Sequence, residues 1–386
     1  MRTGESKFQH IVDFIRNLYR MPDGVIPLHS PFFGGNEKKY LNECIDSTYV
    51  SSVGKFVDEF EIKIAEYTGA KTAVVSVNGT NGLYLALRMA GVSTGDEVIT
   101  QPLTFVATCN AIAYCGAEPV FLDIEKQTLG MSPESLTAFL QDHVALKNGL
   151  AVNKHTGKRI SACLPVHTFG HPCRIDEILK ICSSYGIPVI EDAAESIGSF
   201  YKEKHTGTFG MVGVLSFNGN KALTTGGGGM LLFKDPELGK KAKHLSTQAK
   251  ISHPWAYVHD QIGYNYRMPN INAALGLAQL EMLEEMIACK RRIASRYLSF
   301  FKELDIEFQT EPLHSRSNYW LNSILLSDRM ERDHFLKFTN ERGIITRPSW
   351  TLMNRLPMFQ NAFCMDLTNA AEIEAKLVNL PSSVQM

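Results

Sequence analysis

Two residues between positions 187 and 230 carry the chemistry this sequence can do. Asp192 ends a short apolar run that begins at Ile187, and small residues follow it. Lys221 comes after a second apolar run, 212–218, and shortly before Thr224, Thr225 and four consecutive glycines, Gly226 to Gly229. An acid at the carboxyl end of a strand points into the usual ligand crevice of an α/β sheet. An ionised acid, an amine and small hydroxyls such as Ser216 and Thr224 are what pyridoxal phosphate (PLP) requires. They supply a partner for the protonated ring nitrogen, a nucleophile for the aldehyde and donors for the phosphate. Each feature alone is more often a strand-end acid, a surface lysine or a Gly-rich loop; their order and spacing together favour the cofactor.

The surrounding pattern supplies the elements that would hold these residues. Residues 72–77 read as a β-branched strand, followed by Asn-Gly-Thr and a helical run, so a helix N-terminus with free N–H groups is offered to a phosphate. Residues 95–124 read as two strands around a helix, with Phe105 in the loop that enters the helix, where a flat aromatic can stack on a conjugated ring. Asp123 ends the second of these strands and reads as structural. Helices are expected at 37–46, 57–69, 132–140 and 175–185, and strands at 160–166 and 187–192. The charged stretch 141–159 reads as a surface loop or hairpin extension. Two short strands flank Lys221, over 209–217 and 225–233. After 263 come two helices, strands near 318–326 and a helix near 331–342. The strand–helix rhythm predicts a mostly parallel sheet with helices on both faces.

The blocks EDAAES-G, SFNGNK and TTGGGG resemble the core signature of the DegT/DnrJ/EryC1/StrS sugar aminotransferases, a family of fold-type I PLP enzymes. NGTNGLYLAL from Asn78, PLTFVAT from Pro102, PVHTFGHPCRID from Pro165 and GYNYRMPNINAALGLAQL from Gly263 follow in family order. The resemblance runs from about Ile26 to the C-terminus. It implies an α/β fold with a large, mostly parallel seven-stranded sheet domain and a smaller C-terminal α/β domain. The corresponding division is an N-terminal helical extension (1–24), a PLP-binding domain (25–262) and a small domain (263–386). It implies Lys221 and Asp192 as catalytic residues, with Thr80, Asn81, Phe105, Glu195, Ser216 and Asn265 as further cofactor contacts. The asparagine of GYNYR would come from a neighbouring subunit, which implies a homodimer with shared active sites. Ser51, Lys55, Asn318, Tyr319 and Arg347 are expected near the substrate.

The implied reaction moves an amino group from L-glutamate to C4 of a nucleotide-linked 4-keto-6-deoxy sugar. SFNGNK joined to TTGGGG, together with the N-terminal extension, resembles the branch acting on UDP-4-keto-6-deoxy-N-acetylglucosamine in bacillosamine or legionaminic acid synthesis. GDP-4-keto-6-deoxymannose and dTDP-keto-sugars are the alternatives. An amino-acid aminotransferase would need a pair of arginines for a dicarboxylate, and Arg347 alone does not make one. A non-catalytic regulator on this fold is disfavoured by the presence of both Asp192 and Lys221.

Composition narrows the partners. The chain has 386 residues, 39 Lys and Arg, 40 Asp and Glu, and a formal charge of -1. That length exceeds what one core usually serves, and the neutral balance gives no reason to expect nucleic acid or an anionic membrane. No apolar run is long enough to span a bilayer, and the N-terminus lacks a signal-peptide core. The spacing of Ile11, Val12, Phe14, Ile15, Leu18 and Tyr19 instead predicts an amphipathic helix. Eight cysteines are scattered without a metal-ligating spacing. Cys163, His167, His171 and Cys173 lie close in sequence but match the family's strand-end loop, so no metal is expected. Reduced thiols in a cytoplasmic enzyme are the expectation.

Overall fold

A computed structural model describes residues 2–385. Seven strands build the main sheet: β1 (Thr72–Ser76), β2 (Glu97–Thr100), β3 (Glu118–Phe121), β4 (Ile160–Leu164), β5 (Ile190–Asp192), β6 (Val212–Ser216) and β7 (Gly229–Phe233). Ladders join β3, β2 and β4 in one direction and β5, β6, β7 and β1 in the other. Parallel bridges Cys163 to Val189 and Val166 to Asp192 connect the two halves. The spatial order is therefore 3-2-4-5-6-7-1. Strand β7 alone runs antiparallel to its neighbours, and its register sets Gly229 opposite both Ser76 and Ser216. The C-terminal ends of the parallel strands and the start of β7 consequently share one edge, and the candidate site lies there.

The strands are buried on both faces and read as continuous apolar runs, as a sheet covered by helices requires. The helices are α1 (Arg2–Tyr19), α2 (Glu37–Asp46), α3 (Lys55–Thr68), α4 (Gly79–Met89), α5 (Val106–Tyr114), α6 (Pro133–His143), α7 (Ile175–Ser183), α8 (Pro236–Ser246), α9 (Asn270–Glu281), α10 (Leu283–Glu303), α11 (Arg329–Glu341) and α12 (Thr368–Lys376). A second sheet, with β8 (Glu307–Phe308), β9 (Asn322–Leu325), β10 (Arg347–Pro348) and β11 (Leu377–Leu380), is antiparallel throughout in the order 8-9-11-10. The 141–159 stretch forms a β-hairpin, Val144–Lys147 with Leu150–Asn153. Asn153 anchors it by donating to the buried Glu97 carboxylate at 2.8 Å. Asp123 accepts N–H bonds from Asn369 and Ala370 at the first turn of α12, which fits the structural role read for it.

The amphipathic reading of the N-terminus corresponds to α1. Phe8, Ile11, Val12, Ile15 and Leu18 are buried along one face. Phe14 stacks on Phe300 of α10 at 3.8 Å, and Phe8 meets Phe335 and Phe338 of α11 edge-on. Helix α9 packs instead on α2 and α3, where Asn270 accepts from Phe56 N–H at 3.1 Å and donates to Tyr49 O at 2.7 Å.

Strand β5 places two adjacent acids on opposite sides of the chain. Asp192 faces the site, whereas Glu191 turns away and is fully buried. The Glu191 carboxylate accepts the N–H groups of Gly207, Phe209 and Gly210 at 2.7–2.8 Å and pairs with His167 Nε2 at 3.0 Å. Burial pushes the Glu191 carboxyl up, but His167 and the N–H groups outweigh it and leave it below its ordinary range. His167 Nδ1 accepts Cys173 N–H at 3.2 Å, so the ring meets Glu191 with Nε2–H as the donor.

Glu191→Gln replaces an acceptor of four donors by an amide whose NH2 faces some of them, so it should cost about 1–3 kcal/mol in urea unfolding. The Glu191 carboxyl lies below its ordinary range, so its contribution is present above that range and is lost as pH falls through the folded value. The Gln variant should therefore lose most stability near neutral pH and least in acid. A loss under about 0.5 kcal/mol at neutral pH would refute the network.

Candidate active site

Asp192 leaves the end of β5 and enters a cavity of about 380 Å³. Its carboxylate accepts from Thr108 Oγ1 at 2.8 Å and from Ala194 N–H at 3.1 Å. Burial raises its carboxyl; those two bonds and the Lys221 charge oppose the rise. The carboxylate thus lies in a dry site with room for one further cationic donor. Thr108 stands one turn into α5, and its hydroxyl also meets Thr104 Oγ1 at 2.7 Å. Neither threonine was singled out in the sequence, although both belong to PLTFVAT and the helical spacing places them on Phe105's side of the helix.

Lys221 sits on the turn between β6 and β7, with its Nζ 3.3 Å from Glu195 Oε1. The same Nζ lies 3.9 Å from the centre of the Trp320 ring, a cation–π geometry. Glu195 is fully enclosed; burial raises its carboxyl and the Lys221 charge opposes the rise. Its second oxygen accepts Phe169 N–H at 2.8 Å. Phe169 is held at φ 55, a left-handed conformation that costs a bulky residue about 1–3 kcal/mol and turns this N–H inward. Gly170 follows at φ 94, and a Cβ there would stand 1.9 Å from Asn318 Oδ1. The position admits only glycine.

The phosphate end is built from backbone. Asn78 caps α4 through its side chain, which accepts Asn81 N–H at 2.8 Å. Gly79 and Thr80, the first residues of the helix, line the cavity together with Ser216. First-turn N–H groups lack intrahelical partners and favour an anion. Close approach is enforced here, because a Cβ on Gly229 would lie 2.7 Å from the Asn78 carbonyl carbon.

The expected site residues divide by position. Thr80, Phe105, Asp192, Glu195, Ser216 and Lys221 line one cavity, with Phe105 half exposed at its mouth beside Trp350. Asn81 does not line the cavity; one residue further along α4, its backbone N–H donates to the Asn78 cap. Asn265 lies outside the cavity on an exposed surface, accepting from Arg267 Nε at 2.9 Å. Lys55 borders a separate depression and pairs with Glu43 at 2.8 Å, while the Ser51 carbonyl accepts Asn270 N–H. Asn318 and Tyr319 are buried behind the wall. Asn318 donates to Glu195 O and Ile197 O and accepts Trp320 N–H. Tyr319 Oη accepts Glu311 N–H. Arg347 lies at an adjoining chamber and bonds Asn340 Oδ1 and Thr346 O. Trp320 and Trp350 were missed, because a tryptophan near a strand reads as core until its neighbours are known. Among the described residues, no group of three or more metal-ligating side chains converges.

A buried acid at a strand end, an amine on the following turn and a capped helix N-terminus across one cavity define a fold-type I PLP aminotransferase. The comparisons agree: the sequence profile of the DegT/DnrJ/EryC1/StrS aminotransferase family matches residues 32–386, and the chain belongs to that family. It is similar to the GDP-perosamine synthase of Escherichia coli O157:H7, 39% identical over 357 residues (92% of this chain and 93% of that protein). It is also similar to the GDP-perosamine synthase of Vibrio cholerae, 39% identical over 339 residues (87% and 88%). The crystal structure of the aminotransferase TlmJ from Streptoalloteichus hindustanus superposes with a TM-score of 0.84 at 28% identity, covering 93% of this chain and 94% of the other. The chain is therefore a PLP-dependent enzyme.

Lys221→Ala should abolish borohydride-trappable attachment of PLP, measured by mass spectrometry, while a weaker non-covalent binding persists. Trapping at the wild-type level would move the attachment point to another lysine.

Proposed function

We propose that the enzyme transfers an amino group from L-glutamate to C4 of a nucleotide-linked 4-keto-6-deoxy sugar. The likeness to two GDP-perosamine synthases over about nine-tenths of the chain carries this reading. The same observation favours GDP-4-keto-6-deoxymannose as the acceptor over UDP-4-keto-6-deoxy-N-acetylglucosamine. The resemblance to the bacillosamine and legionaminic acid branch rests on SFNGNK with TTGGGG and on the N-terminal extension, and it keeps the UDP sugar as the second reading.

When bound, PLP supplies an aldehyde for amine exchange and a ring that delocalises negative charge. The residues of this chain do the rest. Asp192, held by Thr108 and Ala194, pairs with the protonated ring nitrogen. Gly79, Thr80 and Ser216 hold the phosphate, and Phe105 covers the ring. Lys221 would hold the aldehyde carbon and would take and return a proton at Nζ. Glu195 and the face of Trp320 stabilise Nζ while it carries that proton. The eight free thiols suit the reducing cytoplasm.

With both keto-sugars offered alongside glutamate, kcat/KM for the GDP sugar should exceed that for the UDP sugar by about tenfold or more. The reverse preference would restore the UDP reading, and no amination of either sugar would overturn the proposed function.

We further propose a homodimer in which Asn265 reaches the partner's phosphate site. Its exposed position, outside its own chain's cavity, fits that role. Mixing inactive Lys221→Ala chains with inactive Asn265→Ala chains should then restore part of the activity, since one mixed site combines two intact contributions. Proven subunit exchange without any recovery would mean that each site is built from one chain.

A further inference from the structure

A second chamber of about 370 Å³ opens beside the cofactor cavity and shares Asn220, Trp320 and Trp350 with it. Its other walls include Leu28, His29, Phe169, Leu321 and Asn379, with Arg347 exposed on its lining. No carboxylate lines it. Indole and phenyl faces alternate with amide, imidazole and guanidinium groups, which suits a ring with apolar faces and polar edges.

His29 is the anomaly in that wall. Both of its ring nitrogens are shielded from solvent and neither has a hydrogen-bond partner among the described residues. Leaving such groups unpaired costs free energy, and each instance calls for an explanation. The side chain cannot escape by a backbone shift, because its segment is stitched into the second sheet. Ile26 N–H donates to Gly343 O at 2.8 Å and Ile345 N–H to Ile26 O at 2.9 Å. Ser382 N–H donates to Leu28 O at 2.7 Å, and Ser30 N–H to Ser383 Oγ at 2.8 Å. Helix α1 pins the other end: Arg16 donates to the carbonyls of Met21, Gly24 and Arg342 at 2.6–3.2 Å.

We infer that His29 is a specificity-determining residue, whose imidazole reads the hydroxyl or amide substituents of the acceptor sugar in this second chamber. The inference rests on the nucleotide-sugar reading above. Burial and the cations of Lys290 and Lys221 keep the imidazole neutral. A neutral imidazole has one donor and one acceptor nitrogen. A sugar hydroxyl or an acetamido group satisfies both, whereas the carboxylates of the amino donor accept only and leave one nitrogen unpaired.

The two halves of transamination separate the possibilities. In the first half-reaction glutamate converts the PLP form to the amine form, followed by absorbance; in the second, GDP-4-keto-6-deoxymannose or UDP-4-keto-6-deoxy-N-acetylglucosamine reverses it. His29→Phe should lower kcat/KM for the keto-sugar by about 10–100-fold while the glutamate half stays within about twofold. His29→Asn, which keeps a donor and an acceptor, should lose less. In a Lys221→Ala background, calorimetric binding of the preferred keto-sugar should weaken about tenfold when His29→Phe is added. Thermal melting identifies any variant that fails to fold, and if the Phe variant does, the Asn variant decides on the keto-sugar kcat/KM alone. An unchanged acceptor half, or an equal loss in the glutamate half, would overturn the inference. If the wild type aminates neither sugar, the function reading itself fails first, and this assignment falls with it.

Discussion

Two carboxylates and one amine share a single dry cavity, and the elements around it are arranged to keep them charged. Asp192 and Glu195 are each raised by burial, and the only cation lining their cavity is Lys221. One amine cannot neutralise two carboxylates at full strength in a low-dielectric site. The remaining stabilisation comes from aimed donors: Thr108 and Ala194 for Asp192, and Phe169 N–H for Glu195. In the proposed roles, a protonated ring nitrogen at Asp192 would supply a second positive charge, so Lys221 could give up its own without stranding the acid beside it. β5, α5, the β6–β7 turn and the 168–170 turn converge at this one sheet edge.

Positioning propagates outward through buried hydrogen bonds. Asn318 ties the backbone of Glu195 and Ile197 to that of Trp320. Trp320 is fixed at both ends: its Nε1 donates to Asn220 O at 2.7 Å, and its carbonyl accepts from Lys290 Nζ at 3.1 Å. Lys290 is itself fully buried, pushed down to about 7 by desolvation, and also bonds Ser382 O. A lysine in such a place costs stability compared with an apolar residue of similar size. What it achieves is to lock the indole whose face receives Lys221 Nζ.

The sheet was legible in the sequence because each strand is a short β-branched or apolar run bounded by glycine or polar residues. β1 and β6 fall within the expected runs 72–77 and 209–217, with β1 ending one residue early and β6 starting three residues late. The antiparallel β7 was legible from the strand after the glycines. The grouping of Asp192, Glu195, Ser216 and Lys221 around one cavity was legible for a related reason: they lie on consecutive segments of one stretch, and sequence proximity becomes spatial proximity at a strand end. Asn318 and Tyr319 illustrate the opposite case. Their position near the site was readable, but their facing was not. Tyr319 adopts φ 47, and the irregular backbone before β9 turns both side chains inward, where no period-two pattern applies. Trp320, Trp350 and His29 were unreadable because they approach from sequence positions 99 or more residues from Lys221.

That contrast has a structural basis. The groups that meet the cofactor are carried on the main sheet and its first helices, in contiguous blocks whose glycines and caps leave little freedom. A change at Gly170 or Gly229 collides with backbone or a locked amide. The groups around the second chamber come from six separate segments: 28–29, 169, 220, 320–321, 347–350 and 379. Those at Leu28, His29, Arg347 and Asn379 lie outside the first cavity, so they can change without touching Asp192 or Lys221. An enzyme divided in this way can keep one reaction while its acceptor varies. Under the proposed function, the chemistry falls to the contiguous blocks and the choice of sugar to these scattered side chains.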